Sequence, residues 1–206
     1  MSPNSYSSFY RKAKRPEDLP WHREELPEWL SRAVTERSRP GRFLDLGCGT
    51  GVFSAQLAQK GYDVTAVDFT PEALQMAEAR ARAAGVKVNF LNADVLTWEG
   101  AGAFDLVLDS GCLHSLDPLD RPRYKGQLLK WLAPGADYLL VHFGRRHFLD
   151  WRPMGPRRRK RQEILAELGP ELTERDYKER IEKASLPIGP TIQLNEYWFR
   201  RLANPL

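Results

Sequence analysis

The sequence predicts a doubly wound α/β fold, and three observations carry that reading. Arg42 to Leu46 is a short apolar run that opens onto Gly47, Gly49 and Gly51, three glycines spaced two apart. A helical pattern starts directly after them, with Val52, Phe53, Ala55, Leu57 and Ala58 at helical spacing and Lys60-Gly61 closing it. A β-rich run, Tyr62 to Val67, then stops at Asp68. Strand, glycine turn, helix, strand and terminal acid make half of a doubly wound sheet. The glycines remove Cβ atoms where the chain must turn sharply and let a ligand touch the backbone.

The remaining elements follow in order. Ser2 to Arg15 mixes Ser, Pro and basic residues and is expected to be mobile. Leu26, Trp29, Leu30, Ala33 and Val34 give an amphipathic helix over 26–37. Thr70 and Pro71 open a helix that runs to Ala84 and is closed by Gly85. Val86 to Leu91 reads as the third strand and Asp105 to Leu108 as the fourth. A helix from Asp120 or Arg121 to Ala133 ends at Pro134-Gly135, and Ala136 to Phe143 is the fifth strand. Glu163 to Gly169 and Glu174 to Ala184 look helical, while Thr191 to Leu194 and Tyr197 to Leu202 suggest a closing hairpin.

Composition sets bounds on function. A chain of 206 residues suits one domain with a sizeable core, since domains of this size bury about 70% of their unfolded surface. No stretch approaches the roughly 20 apolar residues of a membrane-spanning helix, and the polar N-terminus lacks a signal-peptide core, so a cytoplasmic protein is expected. Two cysteines, Cys48 and Cys112, without partner His/Cys spacing argue against a disulfide framework and against a zinc site, and no metal is expected. The net charge of +4 is uneven: the stretch 43–143 is acidic, and basic charge collects in the flanks, above all in the run Arg157 to Arg161. Clustered cations suit phosphates, but this run leads into an apolar helical face and reads first as a solvated helix start. Nucleic acid stays a possible partner that is not favoured.

The glycine spacing differs from the G-x-G-x-x-G fingerprint of pyrophosphate binders, and an acid at the end of the second strand can accept two hydrogen bonds from a ribose diol. Four segments, 43–51, 64–74, 92–95 and 104–109, resemble in sequence and order the successive motifs of class I S-adenosylmethionine-dependent methyltransferases. The resemblance covers residues 42–143. It implies a Rossmann-like methyltransferase fold, a mostly parallel seven-stranded sheet with helices on both faces, and S-adenosylmethionine as cofactor. It implies that Gly47, Cys48, Gly49 and Gly51 line the methionine part of that cofactor, that Asp68 takes the ribose hydroxyls, and that Phe69 packs on the adenine. Asp94 and the Val95 amide would meet the adenine edge, and Asp45 would order the glycine loop or the cofactor ammonium. On this reading residues 1–40 form a cap, and 41–206 form one domain with a basic, lid-like insertion around 144–190.

Chemistry is expected beyond the fourth strand, at Asp109-Ser-Gly-Cys-Leu-His-Ser-Leu116. This departs from the Asn/Asp-Pro-Pro-aromatic signature of enzymes that methylate nucleobase amines, and loosely resembles the thiopurine and tellurite-resistance type of small-molecule methyltransferase. An activated methyl needs alignment more than acid–base help, so a base matters only for a protonated acceptor. His114 is the candidate base, with a helix cap or a packing residue as the alternative, and Asp109 is a second catalytic candidate that is also expected to bind the cofactor. Cys112 reads as a small buried filler rather than a covalent nucleophile. Trp21, His22, Cys112, His142, Arg145, Arg146 and Trp151 are candidates for lining a pocket for a small, planar or anionic acceptor methylated on S, N or O. Two further readings stand beside it: a methyltransferase of RNA or another macromolecule recruited by the basic segment 145–161, and a cofactor-binding module without catalysis. Oligomeric state is not legible.

Overall fold

The computed structural model describes residues 3–100, 102–145, 157–183 and 191–203. The expectations placed on Arg146 and Trp151 lie outside the described residues. Seven strands form one sheet: β1 (Arg42–Leu46), β2 (Asp63–Asp68), β3 (Asn89–Asn92), β4 (Phe104–Asp109), β5 (Leu132–Phe143), β6 (Leu172–Lys183) and β7 (Thr191–Arg201). Their order is β3-β2-β1-β4-β5-β7-β6. The first five run parallel, while β7 pairs antiparallel with both β5 and β6. The strand order reverses between β1 and β4, which opens a crevice at the carboxyl ends of the strands, where ligands of doubly wound sheets bind.

Among the described residues six α-helices accompany the sheet: α1 (Pro3–Lys12), α2 (Glu28–Thr35), α3 (Val52–Gln59), α4 (Pro71–Ala83), α5 (Arg121–Trp131) and α6 (Arg161–Leu168). The alternation of side chains along each strand divides the core in two. On one face Leu44, Leu46, Val107, Tyr138 and Leu140 pack with Tyr124, Leu128 and Trp131 of α5 and Ile164 and Leu168 of α6. On the other Phe43, Leu106, Leu108, Leu139 and Trp198 pack with Trp29, Leu30 and Ala33 of α2 and Leu57 of α3. The inner strands β1, β2 and β4 are therefore buried on both faces, as their near-continuous apolar runs require, while the edge strand β3 is only partly covered.

Four expectations need correction. The segment 2–15 is not a loose tail: α1 forms within it, because Tyr10 is buried with Leu19 and Ala73 against α4. The stretch expected as a helix from Glu174 to Ala184 is, over its described residues 174–183, most of β6, an edge strand whose charges pair outward, Asp176 with Arg32 and Lys178 with Glu28 of α2. The closing hairpin is one uninterrupted strand, β7, since the polar residues that suggested a turn are buried and partnered: Glu196 meets Arg180 at 2.7 Å, and Asn195 donates to the Tyr197 hydroxyl at 3.2 Å. The basic run is a solvated helix start only in part: Arg157, Lys160 and Arg161 are exposed ahead of and at the start of α6, where Arg157 meets Asp117 and Arg161 meets Glu174, but the Arg159 side chain is mostly buried against Glu167.

Candidate active site

The β1–α3 loop holds Gly47, Gly49 and Gly51 at φ +66, +54 and +69, backbone that L side chains rarely adopt. Crowding adds a second requirement. A Cβ on Gly47 would stand 2.8 Å from Cys112 Sγ, one on Gly49 2.9 Å from the Tyr10 hydroxyl, and one on Gly51 2.7 Å from Ala77 Cβ. The loop is anchored to β2, where the Gly47 and Cys48 amides donate to the Val67 carbonyl at 2.8 and 3.1 Å. The Gly49 amide donates to Asp68 Oδ2 at 3.0 Å, and the Thr70 amide donates to Asp68 Oδ1 at 2.8 Å. Each Asp68 oxygen so keeps a lone pair beyond its backbone bond, which a sugar hydroxyl can use. Burial raises the carboxyl pKa and these amide donors oppose the rise.

Bare backbone, a carboxylate with spare acceptor capacity and the half-exposed ring of Phe69 beside it fit an adenosyl cofactor. Asp94 stands in the loop after β3, where its carboxylate accepts the Leu96 amide at 2.8 Å, and Val95 is buried beside it. Asp45 sits deeper than expected. Its partner is Ser54 of α3, whose hydroxyl donates at 2.6 Å, and burial pushes its pKa up to about 7.

The N-terminal segment closes on this cradle. Tyr6 of α1 lies edge-on to Trp21 at 5.6 Å and to Phe69 at 6.3 Å, and its hydroxyl meets Ser115 Oγ at 2.7 Å. Trp21 Nε1 donates to the Tyr10 hydroxyl at 3.3 Å. His22, expected near an acceptor, has its side chain buried against the glycine loop: its Nδ1 lies 3.5 Å from Thr50 Oγ1, its Nε2 meets Glu24 at 2.8 Å, and Glu24 meets Arg80. Tyr6, Tyr10 and Ser115 carry no motif. Ser115 lies in the 109–116 segment where chemistry is expected, while nothing in the local sequence marks Tyr6 and Tyr10.

Asp109 takes a place different from the one expected. Its carboxylate is fully buried and accepts the amides of Gly111, Cys112 and Leu113 at 3.0, 2.7 and 3.0 Å. The hydroxyl of Tyr124 donates to it, and that of Tyr138 does so at 3.3 Å. With its lone pairs taken up by the loop and two tyrosines, this acid shapes the 110–116 loop and is not aimed at a reacting group. Burial raises the pKa of Cys48 and Cys112 well above the ordinary thiol value, so neither offers a thiolate.

The same loop delivers His114 to the end of β5, with its ring 4.8 Å from Phe143 and 5.8 Å from His142, edge to face in both cases. Burial lowers the pKa of His114 to about 4 and that of His142 to about 3, so both imidazoles are neutral at pH 7. Arg145 lies just beyond β5, and its amide donates to the Arg159 carbonyl at 3.0 Å. The Arg157 amide donates to the His114 carbonyl at 3.3 Å, which draws the segment after residue 156 over the histidines. Among the described residues no helix is long and apolar enough to cross a membrane.

Comparison with known proteins agrees with this geometry. Residues 43–135 match the family model described as a methyltransferase domain. The chain is 30% identical over 149 residues to a 2-heptyl-1-hydroxyquinolin-4(1H)-one methyltransferase of Mycobacteroides abscessus, covering 69% of this chain and 65% of that one. It is 30% identical over 159 residues to a probable thiol methyltransferase 2 of Arabidopsis thaliana, covering 76% and 68%. The chain spans about half to two thirds of the length of the curated relatives it matches. A solved structure described by the conversion of a disulfide bond into a thioacetal group during echinomycin biosynthesis superimposes with a TM-score of 0.77 at 25% identity, over 99% of this chain and 94% of that one. Three positive-φ glycines, the middle one bonded to the acid at the end of β2, on a sheet whose seventh strand runs antiparallel, agree with these matches: the chain belongs to the class I S-adenosylmethionine-dependent methyltransferases.

Proposed function

We propose that the chain transfers a methyl group from S-adenosylmethionine to O, S or N of a small, planar or weakly acidic acceptor. When bound, the cofactor supplies a methyl already activated on a sulfonium. On this reading Gly47, Cys48, Gly49 and Gly51 hold its amino-acid part, Asp68 its ribose, and Phe69, Asp94 and Val95 its adenine, with Asp45 behind the loop. The observation that carries the reading is the bond between Asp68 and Gly49, which couples the sugar-binding acid to the bare loop. The names of the relatives, a hydroxyquinolinone, a quinone precursor and a thiol among their acceptors, favour a small molecule over a macromolecule. So do the ion pairs that occupy Arg157, Arg159 and Arg161.

His114 serves as the proton acceptor, because a neutral imidazole holds a free lone pair at neutral pH. Asp109 positions it through the loop. Trp21, Cys112, His142 and Arg145, with Arg146 and Trp151, bound the acceptor side, and residues 1–40 act as a cap on a domain spanning 41–206. Calorimetric titration with S-adenosylhomocysteine, followed by a methyl-donor assay across thiols, phenols and heterocyclic amines, tests the reading. Binding with turnover of one acceptor class supports it; no binding of S-adenosylhomocysteine overturns it.

A further inference from the structure

His114 and His142 present two buried nitrogen lone pairs that nothing in the described protein satisfies. His142 Nδ1 lies 2.9 Å from the Phe143 carbonyl, and a carbonyl only accepts, so the proton of this neutral ring is on Nδ1. Its Nε2 is then a bare acceptor, and that atom is buried without a partner. His114 Nδ1 is likewise buried without a partner, and the Val141 carbonyl, which favours a proton on the ring, assigns that proton to Nε2 and leaves Nδ1 bare. Both residues are more than nine-tenths buried. Leaving a polar atom so placed unpaired costs about 1–3 kcal/mol each, which a ligand that donates to them recovers.

The surroundings narrow the ligand. Arg121 and Arg159 are near enough for their charges to act on His142, while Glu167 is shared between the two guanidiniums, at 3.9 Å from Arg121. Gln193 and Asn195 of β7 are occupied with each other at 2.8 Å, and Asn195 with Tyr197. Asp109 is engaged by its loop and two tyrosines. No carboxylate is left in this set to neutralise an ammonium, and the arginines favour a group that can lose a proton. Two lone pairs on rings 5.8 Å apart are not both met by one X–H.

We propose that His114 Nδ1 and His142 Nε2 form the acceptor subsite, and that it selects a small molecule carrying two neighbouring hydrogen-bond donors, a weakly acidic O–H or S–H for His114 and a second donor for His142. This rests on the methyltransferase reading above and names its substrate class. On transfer the methyl replaces the proton on the nucleophilic oxygen or sulfur, the sulfonium sulfur keeps the electron pair of the broken C–S bond, and the displaced proton goes to His114 Nδ1. His142 orients the acceptor. It takes no proton, because a charge on His114 lowers its basicity further.

The test uses the full chain, labelled with 15N-histidine and saturated with S-adenosylhomocysteine, and follows the ring nitrogens by NMR. Catechol and 2-mercaptophenol carry two donors, phenol and thiophenol one, anisole none. Catechol or 2-mercaptophenol is expected to shift both bare nitrogens, phenol or thiophenol the one on His114 only, and anisole neither. Which pair binds more tightly separates O–H from S–H. His142→Phe, which keeps ring area and removes the lone pair, should weaken the two-donor probe at least tenfold and leave S-adenosylhomocysteine and phenol binding unchanged. Protons found on His114 Nδ1 or His142 Nε2 in the free protein, or nitrogens that neither two-donor probe moves because water alone fills the subsite, would overturn the proposal while leaving the cofactor reading intact. Failure of S-adenosylhomocysteine to bind would overturn both.

Discussion

Asp68 and Gly49 are joined directly, a carboxylate oxygen at the end of β2 accepting the amide proton of the middle glycine of the β1–α3 loop at 3.0 Å. The acid that would grip a ribose is therefore also the acid that sets the loop above it. Asp68→Ala removes both roles, and we expect cofactor binding to weaken by about 1.5 to 3 kcal/mol, the range for losing hydrogen bonds to a charged acceptor. Asp68→Asn keeps one oxygen for the Gly49 amide and should fall between. Calorimetry with S-adenosylhomocysteine reads the difference, and equal affinity for all three proteins would remove Asp68 from the site.

Gly49→Ala meets two penalties. The residue has φ +54, and its new methyl would stand 2.9 Å from the Tyr10 hydroxyl. The backbone cost is about 1–2 kcal/mol. The contact either displaces α1 or shifts the loop. We expect a lower melting temperature and weaker cofactor binding. Tyr10→Phe, which removes only the hydroxyl, should restore part of the binding and leave the backbone penalty. If the second change restores nothing, Tyr10 does not limit the space over the loop.

The parts of the chain that were legible are those where local chemistry and tertiary place agree. Three glycines two apart are needed at the positions where the backbone turns left-handed, so motif and geometry coincide at Gly47, Gly49 and Gly51. At β6 they part company. Glu174, Arg175, Lys178, Glu179 and Glu182 are good helix formers with opposite charges four apart, but pairing with β7 along the whole strand outweighs that weak local preference. The polar pair Asn195-Glu196 looked like a turn because its partners, Tyr197 and Arg180, are invisible until β6 and β7 are laid side by side. Asp109 reads in the sequence as a catalytic and cofactor-binding acid, and its place in the fold was not legible, since two of its five donors come from α5 and β5.

Asp45 gives the site a pH signature. Its folded pKa of about 7 lies above the ordinary value near 4, so the unfolded chain ionises first as pH rises. This group's contribution is fully present below about pH 4 and is lost as pH climbs through about 7. Asp45→Asn keeps an acceptor for Ser54 and cannot ionise. Its melting temperature relative to the parent should therefore be clearly higher at pH 8 than at pH 4. A difference that does not vary with pH would mean that the acid ionises as freely in the fold as in the open chain.

Tyr6 links α1 to the 110–116 loop, its hydroxyl 2.7 Å from Ser115 Oγ. Losing one such bond costs about 0.5–1.5 kcal/mol. Tyr6→Phe keeps the ring against Trp21 and Phe69. We expect little change in global stability, faster amide exchange in α1 and faster release of S-adenosylhomocysteine. Release at the parent rate would make α1 a fixed part of the fold and not a cap over the cofactor.

His114 should make turnover insensitive to pH where most histidine-dependent reactions are not. Its folded pKa, lowered by burial to about 4, lies below the unfolded value near 6.5. The imidazole so keeps its lone pair across pH 6 to 8, and activity should decline only toward pH 5 and below. Stability follows the same sign: the contribution is present above about pH 6.5 and is lost as pH falls through about 4, because the unfolded chain takes up the proton first. His114→Ala should lower turnover by ~10² with little change in cofactor affinity, if the acceptor arrives protonated. A rate that halves near pH 6.5, or a variant as fast as the parent at every pH, would leave this ring as packing against Phe143.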